Sequence, residues 1–271
     1  MTQAGQWPTA AFKEDRVEAD GFRIRYWTSG PSQPVGVVVM LAGITWELSK
    51  LRDALAQTYR VIALELPGFG ESPVNTTSQS VQELAHTVVL AVAKVVPENY
   101  TLIGTSFGAN VALWQTLQAP DQVEALVLIA PTTLLPMAGP IADTPEEMAK
   151  RLLAHPEKAQ SLPSIDPAVV GKEQALVQRL TSGAHDTEAE RRLGEIPCAT
   201  LAIFGSEDKL VAPEAPRIYR ERIPNSNLAF VYDAGHCIEA ERPEALVNAV
   251  ADYVALRETF IVGRHTGIIN P

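Results

Sequence analysis

Hydrophobic and polar positions fall in blocks along this chain, and the period of the pattern changes from block to block. Arg16-Val17-Glu18-Ala19 and Phe22-Arg23-Ile24-Arg25-Tyr26-Trp27 flank Asp20-Gly21. The second arm alternates apolar with basic side chains, and Asp-Gly is a strong turn signal, so the stretch predicts an antiparallel hairpin. After a loop over 29–34, Val35 to Leu41 is a continuous run of apolar residues rich in β-formers, as expected of a strand buried on both faces. Strand and helix patterns then alternate: a helix from Leu48 to Tyr59, a strand at 61–64, a helix from Val81 to Val96, and strands at 100–103 and 125–130. Such alternation predicts right-handed βαβ units and a doubly wound parallel sheet covered by helices, an α/β fold.

The regular pattern stops after Pro131. From about Thr132 to Glu195 no stretch reads as a strand, and Pro136, Pro140, Pro156, Pro163 and Pro167 punctuate helical pieces at 144–153, 173–180 and 186–193. The sheet pattern resumes with a strand at 200–204, a helix at 213–222, a strand at 228–232 and a closing helix at 243–257. The expected organisation is a core built from 1–131 and 196–271, with 132–195 inserted as a helical cap at the carboxyl edge of the sheet, where α/β folds place their sites. The tail, Thr259 to Pro271, carries an apolar patch (Phe260, Ile261, Val262) with no assignable element.

Composition narrows the functional classes. The 271 residues carry a formal net charge of −10, which disfavours nucleic acid and anionic membranes as partners. Two cysteines, Cys198 and Cys237, provide no disulfide framework. No signal-peptide pattern opens the chain and no apolar run approaches membrane-spanning length, so the expected location is cytoplasmic. Cys/His metal spacing and a Gly-x-Gly-x-x-Gly run are both absent, and neither a metal nor a cofactor is expected.

Candidate chemistry centres on Leu102-Ile103-Gly104-Thr105-Ser106-Phe107-Gly108-Ala109-Asn110. A G-x-S-x-G pattern has meaning where a strand turns sharply into a helix, and both flanks supply that setting. The small residues let neighbouring backbone pass close by, while Ser106 stands at the corner with its hydroxyl exposed at the positive end of the helix. A serine nucleophile needs a general base, and the base needs an orienting carboxylate. Among five histidines, only His236 directly follows a strand and falls after the candidate acids. His86 suits a helix surface, His155 and His185 the cap, and His265 the tail. Asp208 is favoured as the acid, with Glu207 and Asp233 as rivals. Cys237 reads as a small packed side chain.

The chain resembles the α/β-hydrolase superfamily, in the lid-bearing branch of small carboxylesterases and C–C bond hydrolases. The order Ser106, Asp208, His236 matches the family's nucleophile, acid and base. Asp208 lies in a G-x-x-D-x-hydrophobic loop (Gly205 to Leu210), and His236 in a G-H-x-x-x-x-E-x-P stretch (Gly235 to Pro243). Glu65 to Ser72 resembles the D-x-P-G-x-G-x-S loop with Glu65 in place of Asp, and Ala42-Gly43 stands where the family usually has His-Gly. The resemblance implies a mostly parallel eight-stranded sheet, and oxyanion donors at the Phe107 and Ile44 amides. Trp46, Leu134, Leu135 and Met137 are candidates for a substrate pocket. The activity implied is that of a serine hydrolase, esterase-like, acting on a small-molecule ester that is neutral or hydrophobic. C–C bond or lactone hydrolysis with the same triad, and a non-enzymatic small-molecule receptor of the same fold, are the alternatives. The chain is expected to act as a monomer or homodimer.

Overall fold

In the computed structural model of the protein, the described residues are 10–42, 49–134, 145–157, 166–181, 185–260 and 268–269. One sheet of nine strands organises them. The predicted hairpin is β1 (Lys13–Ala19) and β2 (Phe22–Ser29), and β2 pairs antiparallel with β4 (Arg60–Leu64). From β4 the pairing is parallel through β3 (Val37–Leu41), β5 (Tyr100–Thr105), β6 (Val123–Ile129), β7 (Ala199–Gly205) and β8 (Ser226–Val231). These eight strands make the expected mostly parallel sheet. The tail, which the sequence pattern left without an element, adds a two-residue edge strand β9 (Ile268–Ile269) antiparallel to β8. Phe260 is buried edge-on against Tyr253, whereas Ile261 and Val262 lie outside the described residues.

Side chains of a strand point alternately to its two faces, and β3 shows the consequence. Val37, Val39 and Leu41 join one core with α2 (Val81–Val95) and α3 (Phe107–Gln118); Val38 and Met40 join the other with α1 (Ser49–Leu55) and α9 (Pro243–Leu256). Two buried faces explain why the strands read as continuous apolar runs. β5 sits at the middle of the sheet with every residue buried. At its carboxyl end the chain turns directly into α3, and two glycines set how tightly. A Cβ at Gly104 would lie 2.5 Å from Ala109 Cα, and one at Gly108 would lie closer still to the Leu41 carbonyl oxygen. In both cases the obstacle is backbone, which cannot swing aside.

Among the described residues, the stretch between β6 and β7 is helical: α4 (Pro145–Leu152), α5 (Pro167–Thr181) and α6 (Thr187–Arg192). α5 begins at Pro167, earlier than the periodicity from Glu173 predicts. Proline is well suited to a first turn, and Asp166 Oδ1 accepts the Ala168 amide there at 2.8 Å, so this proline opens a helix instead of breaking one. α5 is bound to the loop after β4. Lys172 Nζ donates to the Gly70 and Ser72 carbonyls at 2.7 and 2.6 Å, and Arg179 donates to those of Asn75 (2.5 Å) and Ser78. Glu173, 5% exposed, accepts the Gly70 amide at 2.8 Å. Burial pushes the Glu173 carboxyl above its ordinary range, with the nearby Glu65 adding to the rise against the pull of the Gly70 amide and Lys172. The remaining helices, α7 (Ala215–Arg222) and α8 (Ile238–Glu241), flank β8 and the loop that follows it.

The glycines make a paired prediction. Gly104→Ala should destabilise the fold by about 3 kcal/mol or more, since overpacking here is against rigid backbone. Gly171→Ala, inside α5 with nothing within 4 Å of the added methyl, should stabilise it by about 0.5–1 kcal/mol. Urea denaturation of the two variants beside the wild type measures both effects. Equal stability of all three would refute the packing described for the corner.

Candidate active site

The β5–α3 corner holds Ser106 at φ 52 and ψ −120, a conformation rarely adopted by a residue with a side chain. Hydrogen bonds over-determine it: Ser106 N–H donates to the Ile129 carbonyl at 2.8 Å, and the Ser106 carbonyl accepts the Ala109 amide at 3.0 Å. Two further non-glycine residues with positive φ, Ala130 and Asp233, lie just beyond β6 and β8 on the same edge of the sheet. Backbone strain held in place by its surroundings tends to gather at functional sites. Three of the five non-glycine positive-φ residues among the described residues, Ser106, Ala130 and Asp233, follow strands at this edge, the others being Asp20 in the hairpin turn and Arg257 after α9.

β7 and β8 deliver the other two groups. The loop after β7 carries Asp208 and the loop after β8 carries His236, and their side chains are 6% and 2% exposed. Asp208 Oδ1 accepts the Leu210 and Val211 amides at 2.8 and 3.0 Å, which aims Oδ2 at His236 Nδ1, 2.9 Å away. His236 Nε2 stands 2.9 Å from Ser106 Oγ. Burial is the strongest influence on the Asp208 carboxyl and would raise it. The His236 charge and hydrogen bond, together with the Val211 and Leu210 amides, outweigh burial and hold the carboxyl below its ordinary range. An ionised carboxylate only accepts, so Nδ1 carries the proton in the neutral ring and Nε2 is left to accept from the serine hydroxyl.

The rival groups are engaged elsewhere. Asp233 pairs with His155 Nε2 at 2.7 Å and with Arg242, and Glu207 is exposed. His86 is exposed on α2, His185 pairs with Glu190, and His265 lies outside the described residues. Cys237 is buried at 5% exposure. Among the described residues no three His, Cys, Asp or Glu side chains converge as metal ligands would, and no helix is long and apolar enough to cross a membrane.

Phe107 opens α3, so its amide is among the first four, which have no partner within the helix. Its ring stacks on Phe69, with centroids 5.6 Å apart and planes 11° from parallel. Ile44, Trp46, Leu135 and Met137 lie outside the described residues. Leu134 is 1% exposed and belongs to the same apolar cluster as Phe69, Phe107 and Trp114. One turn along α3 from Ser106, a cavity of about 220 Å³ lies between α3 and the β6–β7 helices, lined by Asn110, Trp114, Thr132, Thr133, Leu180 and Asp186 among others. Asn110 ties its wall together, donating to Thr132 Oγ1 at 3.0 Å and accepting from Thr133 Oγ1 at 2.6 Å.

Sequence reasoning missed the groups that anchor the helical insertion to the site. Glu241 accepts the Gly235 amide at 2.7 Å and the Ala154 and His155 amides at 3.1 and 2.8 Å, joining the segment after α4 to the His236 loop. Its place in the G-H-x-x-x-x-E-x-P stretch was the available signal. For Glu173, Lys172 and Arg179 there was none, since their partners are backbone groups about a hundred residues away in sequence.

Comparison with known proteins bears on the family and the fold. A sequence profile described as the alpha/beta hydrolase family matches residues 38–249. The uncharacterized hydrolase YugF of Bacillus subtilis (strain 168) is 24% identical, over 88% of this chain and 97% of that protein. The pimeloyl-[acyl-carrier protein] methyl ester esterase of Photobacterium profundum is 25% identical, over 78% of this chain and 90% of its own length. The crystal structure of carboxylesterase CesB (YbfK) from Bacillus subtilis superposes with a TM-score of 0.67 at 18% identity, covering 91% of this chain and 92% of that one. With the profile spanning well over half of its length, this chain belongs to the alpha/beta hydrolase family.

Proposed function

We propose that the protein is a serine esterase that cleaves a small to medium, neutral or hydrophobic ester through an acyl-enzyme. The observation that carries this reading is the unbroken hydrogen-bonded line from Asp208 through the buried His236 ring to Ser106 Oγ. In this reading Ser106 Oγ attacks the ester carbonyl carbon while its proton passes to His236 Nε2. Asp208 keeps the ring oriented and stabilises its positive charge. The Phe107 amide, with that of Ile44, takes the oxyanion. As the tetrahedral intermediate collapses, His236 returns the proton to the departing alkoxide, and the alcohol leaves. Water then attacks the acyl carbon, giving a proton to His236 that is passed back to Ser106 Oγ as the acid departs. No cofactor enters the cycle.

Residues 132–195 act in this reading as the cap of a core made of 1–131 and 196–271, covering the acyl-enzyme. The cavity beside Asn110 and Trp114 receives the non-reacting part of the ester in this reading. Likeness in sequence to a methyl ester esterase supports the ester reading, and similar likeness to 2-hydroxymuconate semialdehyde hydrolase supports C–C bond hydrolysis by the same groups as the second reading.

Steady-state turnover of p-nitrophenyl esters of graded chain length tests the reaction, and fast turnover that depends on chain length is the expected result. Ser106→Ala should keep the wild-type circular dichroism spectrum while losing both turnover and labelling by a fluorophosphonate; labelling that survives the change removes Ser106 from the mechanism. Asp208→Asn should lower kcat by about 10³–10⁴-fold, whereas Asp233→Asn, whose partners are His155 and Arg242, should change it far less. A depressed carboxyl stabilises the fold above its ordinary pKa, and that contribution is lost as pH falls through the lowered value. The Tm difference between wild type and Asp208→Asn should therefore shrink as the pH is taken from about 7 toward about 3.

A further inference from the structure

The turn after β4 is held from two sides by buried carboxylates. From the sheet side, Glu65, 2% exposed, accepts the Ser72 amide at 3.1 Å, the Ser72 hydroxyl at 2.7 Å and Arg25 Nη2 at 2.7 Å. From the insertion side, Glu173 accepts the Gly70 amide at 2.8 Å while its neighbour Lys172 holds the Gly70 and Ser72 carbonyls. One helical turn further along α5, Leu176 fills the space beside Gly68, its Cδ2 lying 2.5 Å from where a Cβ would stand. Phe69 lies in the middle of the gripped segment, 2% exposed. Its ring lies nearly parallel to that of Phe107, the residue after Ser106, in an offset stack.

The gripped turn, the ring stack and the first peptide of α3 thus form one continuous chain of close contacts, running from a carboxylate on the insertion to the proposed oxyanion donor. An oxyanion donor is effective when it lies about 2.7–3.1 Å from the developing charge, and donors of this kind are worth about 10²–10³ in rate when removed outright. A side chain that fixes the donor's position therefore bears on rate without touching substrate.

The geometry points to Glu173 as a positioning residue: acting through the Gly70 amide and the Phe69–Phe107 stack, it sets where the Phe107 N–H is presented to the oxyanion. This inference rests on the esterase reading and goes beyond it, giving the inserted helices a part in the chemical step in addition to covering it. The carboxylate is suited to the task because a single strong acceptor, buried and flanked by Lys172, fixes the height of the Gly70 peptide on α5. Its effect should appear in kcat and in the rate of serine modification, with little change in KM, because the remote binding surface is untouched.

The experiment measures the rate of fluorophosphonate labelling of Ser106, together with kcat and KM for a short p-nitrophenyl ester, on the full chain. Glu173→Ala should slow labelling and kcat by about tenfold, a fraction of the loss from deleting a donor, with KM within about twofold. Glu173→Gln retains an oxygen acceptor for the Gly70 amide and should restore both rates to within about twofold of wild type. Phe69→Leu leaves the Glu173–Gly70 bond in place and removes the stack, so it should reproduce the slowing even where Glu173→Ala folds poorly. Glu221→Gln, on an exposed ion pair of α7, is the control. If Glu173→Ala lowers Tm but labels at the wild-type rate, or if Phe69→Leu labels at that rate, Glu173 is an anchor only and the inference is overturned. If the wild type itself is not labelled at Ser106, the esterase reading falls and takes the inference with it, an outcome distinct from equal labelling of wild type and variants.

Discussion

Close approach of backbone to backbone at the β5–α3 corner is the constraint on which the rest of the molecule depends. Gly104 lies against Ala109, and Gly108 against the carbonyl of Leu41, at distances no side chain tolerates. That contact presses α3 onto the middle of the sheet and forces Ser106 into its positive-φ conformation. The strain is sustained because both strands beside the corner are buried on both faces and cannot yield. Once Ser106 is held there, parallel order brings the loops after β7 and β8 to the same edge, so residues far apart in the chain meet without further devices.

Buried charge supplies the second layer of organisation. Asp208, Glu65, Glu173 and Glu241 all sit near or below a tenth of full exposure, and each is satisfied by backbone amides or a cation. Carboxylates buried with such partners are costly to disturb, since removing a partner leaves an uncompensated charge or amide. Glu65, Glu173 and Glu241 are placed where segments remote in sequence must keep register: β2 with the turn after β4, α5 with the same turn, and the end of α4 with the His236 loop. The helices between β6 and β7 are accordingly tied to both sides of the serine. These ties make the described helices part of the site's framework.

Most of the fold was legible because a sheet covered on both faces writes a strong pattern: short β-branched runs, separated by amphipathic helices of the right length. The meeting of Ser106, Asp208 and His236 was legible because each follows a strand and each sits in a local motif. Errors fell where local signals carry two meanings. Pro167 reads as punctuation but opens α5, and Leu48 to Tyr59 has helical periodicity throughout although α1 ends at Leu55. β9 was invisible because two residues are too few to show any period. Glu173 and Arg179 were invisible for a deeper reason. Their partners are peptide groups, and every residue has those, so no residue type or spacing marks the contact.

The proposed mechanism passes through an acyl group held covalently on Ser106, a species that is directly observable. Turnover of a p-nitrophenyl ester, quenched in acid during the first seconds and followed by peptide mass analysis, reads both whether an acyl group is attached and where. The prediction is a burst of nitrophenolate approaching one equivalent per chain, accompanied by a single acyl group on the peptide containing Ser106. Turnover without a burst from a chain that stays unmodified, or an acyl group on any other residue, would contradict it.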